Sequence, residues 1–147
     1  MRRYLLDTGI AGCYIDRRSG VYERAQAEWS RGNWVGIAHP VLAELAYRVE
    51  GGPNRDRNMQ RLRLAMASWK VWPVTEGAAF KYGYIAAELR RLGRMIGQND
   101  IMIAAIALAL GNTTVVTMDT DYANVPGLAV ENWAEPEGTA AAKPSPA

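Results

Sequence analysis

The stretch "GQNDIMIAAIALALGNTTVVTMD", residues 97–119, decides the fold class of this chain. Its first part is apolar on every side after Asp100, so a helix formed here must be buried rather than amphipathic. Its second part, "TTVVTMD" at 113–119, is a short apolar run that suits a buried strand and ends at an acid. A buried helix that leads directly into a buried strand predicts a sheet with helices packed against it.

The same alternation extends outward along the rest of the chain. Short apolar runs predict strands at 3–7, 34–40, 71–74, 113–119 and 128–133. Helical spacing, a Thr75 cap and glycine stops predict helices at 20–32, 40–52, 55–69, 75–93 and 97–112. Strands that alternate with helices in this way predict an α/β fold, in which a parallel sheet is covered on both faces.

Length and composition favour one domain. The chain has 147 residues, of which 49% are hydrophobic, enough for a single core. We expect the domain to span residues 1–134. The tail, residues 135–147, contains proline, glycine and alanine but no large apolar side chain, so we expect it to be disordered.

Charge and cysteine content exclude several classes of protein. A formal net charge of +2 gives little global attraction to nucleic acid, so any basic surface must be local. The single cysteine, Cys13, excludes an internal disulfide and a cysteine-based zinc site. Asp7 interrupts the N-terminal apolar run too early for a signal peptide, and residues 101–110 are too few to cross a bilayer. We therefore expect a cytoplasmic protein with no membrane partner.

Acids fall on four separate apolar segments. Asp7 and Asp119 end two predicted strands, and ligands of open parallel sheets bind outside such carboxyl ends. Asp100 opens the buried helix, at the positive end of its dipole. Glu44 lies on an apolar helix stripe with Val41, Leu42 and Leu45. Clustered carboxylates repel one another, and a divalent cation relieves that repulsion. Oxygen ligands favour Mg²⁺ or Mn²⁺, which suit phosphodiester hydrolysis.

Each acid also has a simpler interpretation. Asp7 could be only the cap of a following helix, Glu44 could face solvent, and Asp100 could be only an N-cap. Asp121, two residues after Asp119, could be a turn or capping residue rather than a ligand.

Three segments, in this order, resemble a known family. "YLLDT" near the N-terminus, "PVLAELAYRVEGG" at 40–52 and "GRMIGQNDIMIAAIALALGNTTVVTMDTDYANVPGLAVENW" at 93–133 are similar to segments of PIN-domain ribonucleases, and in particular to the toxin components of VapBC toxin–antitoxin pairs. The resemblance covers residues 2–133 and implies a three-layer α/β/α sandwich with a central parallel sheet.

The resemblance also implies a site and a reaction. Asp7, Glu44, Asp100 and Asp119 would be the catalytic acids that hold Mg²⁺ or Mn²⁺, with support from a set of neighbouring residues, Asp121, Thr117 and Thr8. The protein would be a metal-dependent endoribonuclease toxin. Family members usually have asparagine or serine where this chain has Gly9, so one polar group near the first acid is missing.

The resemblance implies partners as well: an RNA substrate (tRNA, rRNA or mRNA), a cognate VapB-like antitoxin that directs a C-terminal segment towards the acids, and a second copy of the chain in a homodimer. Two clusters of arginines could hold the RNA backbone. We expect RNA binding at Arg90, Arg91 and Arg94, and a further basic face is formed by Arg55, Arg57, Arg61 and Arg63.

Two other functions remain open from the sequence. The chain could be a catalytically weak or inactive PIN-like module that binds RNA or protein. A phosphoacceptor domain that uses Asp7 is less favoured, because the first strand ends in a single acid and the "TMDTD" strand end has no lysine.

Overall fold

The computed structural model of the chain describes residues 1–136. The strands are β1 (Arg3–Leu6), β2 (Trp34–Ala38), β3 (Lys70–Trp72), β4 (Thr113–Val116) and β5 (Ala129–Glu131). The helices are α1 (Thr8–Ile15), α2 (Val21–Ser30), α3 (His39–Gly51), α4 (Arg55–Ser68), α5 (Glu76–Arg91) and α6 (Gln98–Leu110). A short 3₁₀ helix, Thr120–Asn124, follows β4.

All neighbouring strands pair in parallel, in the order β3-β2-β1-β4-β5. The central strand is β1, in which Leu5 lies opposite Gly36 on one side and Val115 on the other. The chain builds the β2–β3 side first and then returns to add β4 and β5. The strand order therefore reverses between β1 and β4, and a crevice at the carboxyl ends of these two strands is the expected ligand position.

The core is formed where helices cover this sheet. Helix α1 packs on β1, α2 on β2 and α6 on both β4 and α5. Leu5, Leu6, Val115 and Val116 are fully buried, as their apolar runs predict. Helix α6 contributes six buried residues, Ile101 and Ile103–Ala107, so its all-round apolar sequence does correspond to a buried helix. The predicted α/β/α sandwich with a central parallel sheet is confirmed.

One helix was absent from the prediction. Helix α1 buries most of its circumference, including Ile10, Ala11, Cys13 and Tyr14, and it contains two glycines. A helix that is buried on most sides lacks the amphipathic period by which helices are recognised in sequence. Cys13, the single cysteine, is buried in the core.

The predicted strands are all too long at their carboxyl ends. Strand β2 ends at Ala38 rather than residue 40, since α3 already begins at His39 with Pro40 in its first turn. Strand β4 ends at Val116 rather than residue 119. His39 and Pro40 thus belong to the first turn of α3, and residues 117–119 belong to the connection that follows β4.

The predicted domain boundary lies near the end of the described part. The backbone N–H of Glu135 donates to the carbonyl of Ser19, with 2.9 Å between N and O. Residues 137–147, on which most of the predicted disordered tail falls, lie outside the described residues.

Within residues 1–136 no helix combines the length and the apolar character needed to span a bilayer.

Candidate active site

The carboxyl ends of β1 and β4 are tied together by one threonine. Asp7 directly follows β1, and Thr117 directly follows β4. The buried Thr117 hydroxyl donates to the Asp7 carboxylate and accepts from the backbone N–H of Asp119, where N and O lie 2.9 Å apart. Thr117 therefore fixes the relative positions of Asp7 and Asp119.

Asp7 both caps a helix and belongs to the acidic group. Its Oδ1 accepts from the backbone N–H of Ile10 at 2.9 Å, as an N-cap of α1. Burial raises the pKa of Asp7 above its ordinary value, and the hydrogen bonds from Thr117 and Ile10 offset only part of this rise. The charges of Asp100 and Asp119 raise the pKa of Asp7 further. The capping alternative is thus true of Asp7, but it does not remove Asp7 from the site.

Glu44 projects from the second turn of α3 and is half-buried. Its Oε1 accepts from the Thr8 hydroxyl at 3.1 Å and from the Asn99 side-chain amide at 2.9 Å. Its Oε2 lies 3.3 Å from a guanidinium nitrogen of Arg48. The carboxylate is therefore oriented by α1, α6 and α3 together, and Thr8 supports Glu44 rather than its neighbour Asp7.

Asp100 is the third residue of α6, whose N-cap is Gly97, so its role is not that of an N-cap. The hydroxyl of Tyr122 donates to Asp100 Oδ1 at 3.0 Å. Burial raises the pKa of Asp100, the Tyr122 hydrogen bond lowers it, and the charges of Asp119, Glu44 and Asp121 raise it further. The net result is a pKa above the ordinary value.

Asp119 and Asp121 are both exposed at the start of the 3₁₀ helix. The backbone N–H of Asp121 donates to Asp119 Oδ1 at 2.9 Å, so Asp119 is the cap of this turn and Asp121 is not. Their charges act on Asp100, and the charge of Asp119 also acts on Asp7. The acids that the sequence singled out therefore lie at one edge of the sheet.

Cations are scarce among these acids. In the described part of the chain no lysine, arginine or histidine lies within salt-bridge distance of Asp7, Asp100, Asp119 or Asp121, and only Glu44 has such a partner, Arg48.

The chemistry of these acids suits a hard divalent cation. The donors are all carboxylate oxygens, and burial together with mutual repulsion raises the pKa of both Asp7 and Asp100. As the side chains stand, no three acid, histidine or cysteine residues of 1–136 approach closely enough to hold a metal ion. Both oxygens of Asp7 and of Glu44 instead accept hydrogen bonds from protein donors. The assignment of metal ligands stays a prediction.

A groove that the sequence did not indicate begins next to these acids. It is a cavity of about 730 Å³ between α1, α3, α4 and residues 132–136. Thr8, Gly9 and Met118 line the end nearest the acids, and Leu45, Val49 and Leu62 line its apolar wall. Its lining also contains arginines from three segments, Arg18, Arg48 and Arg61.

The arginines predicted to bind RNA are exposed. Arg90 and Arg91 end α5, Arg94 lies in the loop before α6, and Arg91 pairs with Glu88 at 3.0 Å. In the other predicted cluster, Arg55 pairs with Glu50 at 2.8 Å, while Arg61 binds Asp16 at 2.9 Å.

Three residues of the site were missed from the sequence. Arg48 follows Glu44 by one helical turn, a spacing at which an ion pair could have been predicted. Asn99 and Tyr122 gave no such signal, because their contacts join segments 55 and 22 residues apart in the chain.

Comparison with known proteins gives a consistent result. The sequence matches the family model of the PIN domain over residues 4–128. Ribonuclease VapC2 of Rickettsia felis is 30% identical over 130 residues, which are 88% of this chain and 97% of that protein. The tRNA(fMet)-specific endonuclease VapC of Shigella flexneri is 31% identical over 134 residues, which are 90% of this chain and 99% of that protein.

A solved structure shows the same fold. A chain of the crystal structure of VapBC2 from Rickettsia felis, bound to a DNA fragment from their promoter, superposes with a TM-score of 0.83 at 30% identity. The superposition covers 89% of this chain and 98% of that one. Since both the family model and the relatives span most of its length, the chain belongs to the PIN-domain family, in the group that contains the VapC ribonucleases.

Proposed function

We propose that the protein is a metal-dependent endoribonuclease toxin that hydrolyses RNA phosphodiester bonds. The observation that carries this proposal is the group of acids at the β1–β4 switch point, where Asp7 and Asp100 have raised pKa values and no cationic side chain of residues 1–136 within reach. The names of the relatives, ribonuclease and tRNA(fMet)-specific endonuclease, support RNA as the substrate. Because cellular RNA is that substrate, the proposed place of action is the cytoplasm.

The proposed metal ligands are Asp7, Glu44, Asp100 and Asp119, with Mg²⁺ or Mn²⁺ as the ion. When bound, the ion would orient a water, lower its pKa and stabilise the negative charge that develops on the phosphate. The protein's part is to hold the acids in place: Thr117 joins Asp7 to Asp119. Asp121 supports Asp119 through its backbone N–H.

The Glu44 carboxylate is held by three neighbouring side chains in this proposal. Thr8 and Asn99 orient one of its oxygens, and Arg48 neutralises part of its charge. An arginine one turn from an acid of the site is also within reach of an incoming phosphate, for which its guanidinium is well suited.

RNA must bring its phosphates to a negatively charged edge, so cations have to surround that edge. We propose that Arg90, Arg91 and Arg94 bind the RNA backbone, since all three are exposed, two at the end of α5 and one in the loop that follows it. The Arg48 and Arg61 side chains in the lining of the groove are the other candidates.

The proposed protein partner is a VapB-like antitoxin. A VapBC complex from a relative is known as a solved structure, which supports such a partner here. The apolar groove that begins at Thr8 and Gly9 is the proposed binding site of the antitoxin's C-terminal segment. From there an arginine of the antitoxin could reach the acids and compete with the metal ion by its charge.

A homodimer is part of the same proposal. Phe80 and Tyr84, one turn apart on α5, are 77% and 61% exposed, and Tyr47 on α3 is 78% exposed. Aromatic side chains exposed to this extent suit an interface with a second copy of the chain.

Two observations favour a second candidate, a catalytically weak or inactive PIN-like module that binds RNA or protein. No three acids of residues 1–136 converge on a single point, and Gly9 places no polar group beside Asp7.

Incubation of the purified, antitoxin-free protein with total tRNA and rRNA distinguishes the two candidates. We expect cleavage with Mg²⁺ or Mn²⁺, loss of cleavage on addition of EDTA, and loss in Asp7→Asn and Asp100→Asn. The matched control is Asp56→Asn, because Asp56 is an exposed acid on α4 whose partner is Arg55. Intact RNA with both metals, in the presence of measurable RNA binding, would instead establish the binding module.

A further inference from the structure

Tyr122 lies deeper than any acid of the site. It belongs to the 3₁₀ helix between β4 and β5, and its side chain is fully buried. Its hydroxyl donates to Asp100 Oδ1 with 3.0 Å between the oxygens. A ring enclosed on all sides has one position only, so the hydroxyl at its end is a fixed donor.

The surroundings of this hydroxyl are acidic. Burial and the charges of Asp100, Asp7 and Asp119 all favour its protonated form and raise the pKa of Tyr122. A tyrosine hydroxyl, whose ordinary pKa is about 10, is a neutral donor at physiological pH in any case. A neutral donor adds no positive charge to compete with a cation, whereas a lysine or arginine at this position would.

The two carboxylate oxygens of Asp100 differ in their hydrogen bonding. Oδ1 is held by Tyr122, and no donor of residues 1–136 reaches Oδ2. The carboxylate is anchored at one oxygen, which sets the direction in which the other one points. Partners that hold metal-ligating carboxylates in this manner commonly change metal affinity or activity by about 10–100-fold when they are removed.

We propose that Tyr122 is a positioning residue, whose hydroxyl orients the Asp100 carboxylate towards a divalent cation and the scissile phosphate. The inference rests on the proposed function. It adds a residue from outside the acidic set, on the same 3₁₀ helix as Asp121.

The alternative is that Tyr122 only fills the core with its ring. Tyr122→Phe separates the two roles, because phenylalanine keeps the ring and removes only the hydroxyl. The matched control is Tyr4→Phe. Tyr4 is also buried, at 4% exposure, but it lies on β1 and packs against Trp133.

Three measurements test the proposal. In Tyr122→Phe we expect Mn²⁺ alone, titrated by calorimetry, to bind roughly tenfold more weakly. We expect kcat for RNA cleavage to fall by a similar factor, with KM little changed, because the RNA contacts are intact. In the metal-free protein, three-bond NMR couplings should show the Asp100 side chain changing from one χ1 rotamer to an average of several. Tyr4→Phe should match the wild type in all three measurements.

The proposal is overturned if Tyr122→Phe keeps wild-type Mn²⁺ affinity and kcat and a single Asp100 rotamer, or if Tyr4→Phe shows the same losses. A failure of the proposed function looks different. In that case the wild type itself binds no Mn²⁺ and cleaves no RNA, and the metal-free couplings alone decide: averaging in Tyr122→Phe supports the positioning role, and an unchanged rotamer refutes it.

Discussion

Asp119 is an exposed acid whose charge acts on two less exposed ones. It raises the pKa of Asp7 and the pKa of Asp100, and in the described part of the chain no cation pairs with any of the three. Like charges held together by the fold cost free energy whenever no ligand neutralises them. At the scale of single residues, the site is therefore a place where function and stability oppose each other.

Asp119→Asn tests this opposition. We expect RNA cleavage to be lost, because a proposed metal ligand is gone. We also expect the free energy of unfolding of the metal-free protein to rise by up to roughly 1 kcal/mol, which corresponds to about 2–4 °C in Tm, since interactions between exposed charges contribute no more than this. Thermal unfolding in EDTA, beside a cleavage assay, measures both effects. A lower Tm than that of the wild type would contradict the expected repulsion, and Asp56→Asn should change neither property.

Asp100→Asn should show a stability difference that depends on pH. The folded-state pKa of Asp100 is above the ordinary aspartate value of 3.8, so folding favours its protonated form. At neutral pH the metal-free variant should therefore unfold at a higher temperature than the wild type.

The difference should shrink as the pH falls through the raised pKa of Asp100, and it should vanish below 3.8, where both folded and unfolded wild type are protonated. Tm measured in EDTA from pH 7 downward provides the test. A difference that grows towards acid pH would mean that the pKa is lowered instead.

At the scale of elements, the distance between β2 and β3 depends on one glycine. Gly36 lies opposite Lys70 in the parallel ladder. A Cβ built on Gly36 would lie 2.0 Å from the Lys70 carbonyl oxygen, far inside van der Waals contact. The clash is with backbone, which cannot rotate away as a side chain can, so β3 would have to leave its position.

Gly36→Ala should thus destabilise the protein by more than about 3 kcal/mol, beyond the usual range for overpacking. Gly83→Ala is the matched control. Gly83 lies within α5 with no atom within 4 Å of the added Cβ, and alanine there should stabilise the helix by about 0.5–1 kcal/mol. Urea unfolding of the two variants should give shifts of opposite sign. A Gly36→Ala variant as stable as the wild type would show that β3 can move freely.

At the scale of the whole molecule, carboxylates near the amino ends of the strands differ in their partners from those near the carboxyl ends. Next to the amino end of β2, Glu28 is buried but binds Asn33 at 2.9 Å, Arg24 at 2.9 Å and Arg31 at 3.0 Å. Burial alone would raise the pKa of Glu28, but these partners outweigh it and hold the pKa below its ordinary value. Asp7, Asp100 and Asp119, at the carboxyl ends of the strands, have no cationic partner among the described residues. The negative charge of Glu28, near the amino ends of the strands, is thus compensated, whereas the negative charges where a cation is proposed to bind are not.

Glu28→Gln should therefore lower the stability of the folded protein at neutral pH, whereas Asp100→Asn should raise it. We expect a loss of about 1–3 kcal/mol at neutral pH, since hydrogen bonds to a charged group are removed. This contribution is present above the ordinary glutamate value of 4.5 and disappears as the pH falls through the lowered folded pKa. RNA cleavage should be unchanged under conditions where the variant is folded. Equal Tm values for variant and wild type at pH 7 would contradict the network.

The sequence by itself determined the layers of the fold and the identity of the acids. Its alternation of buried runs specified a parallel sheet covered by helices, because periodicity reports which sides of an element are buried. Asp7 and Asp119 were identifiable because each follows an apolar strand, and chain-local position is what a sequence records. The same local signals were insufficient for α1, whose burial on most sides erases its period.

Only the tertiary structure decided how the acids are held. Thr8 supports Glu44 rather than Asp7, Tyr122 reaches Asp100, and a groove forms between α1, α3 and α4, because the packing of the sheet brings distant segments together. These contacts depend on strand order and helix placement, and many arrangements are compatible with the same periodic pattern. The sequence alone identifies the acids and their chemistry, whereas their orientation depends on how the helices and strands pack.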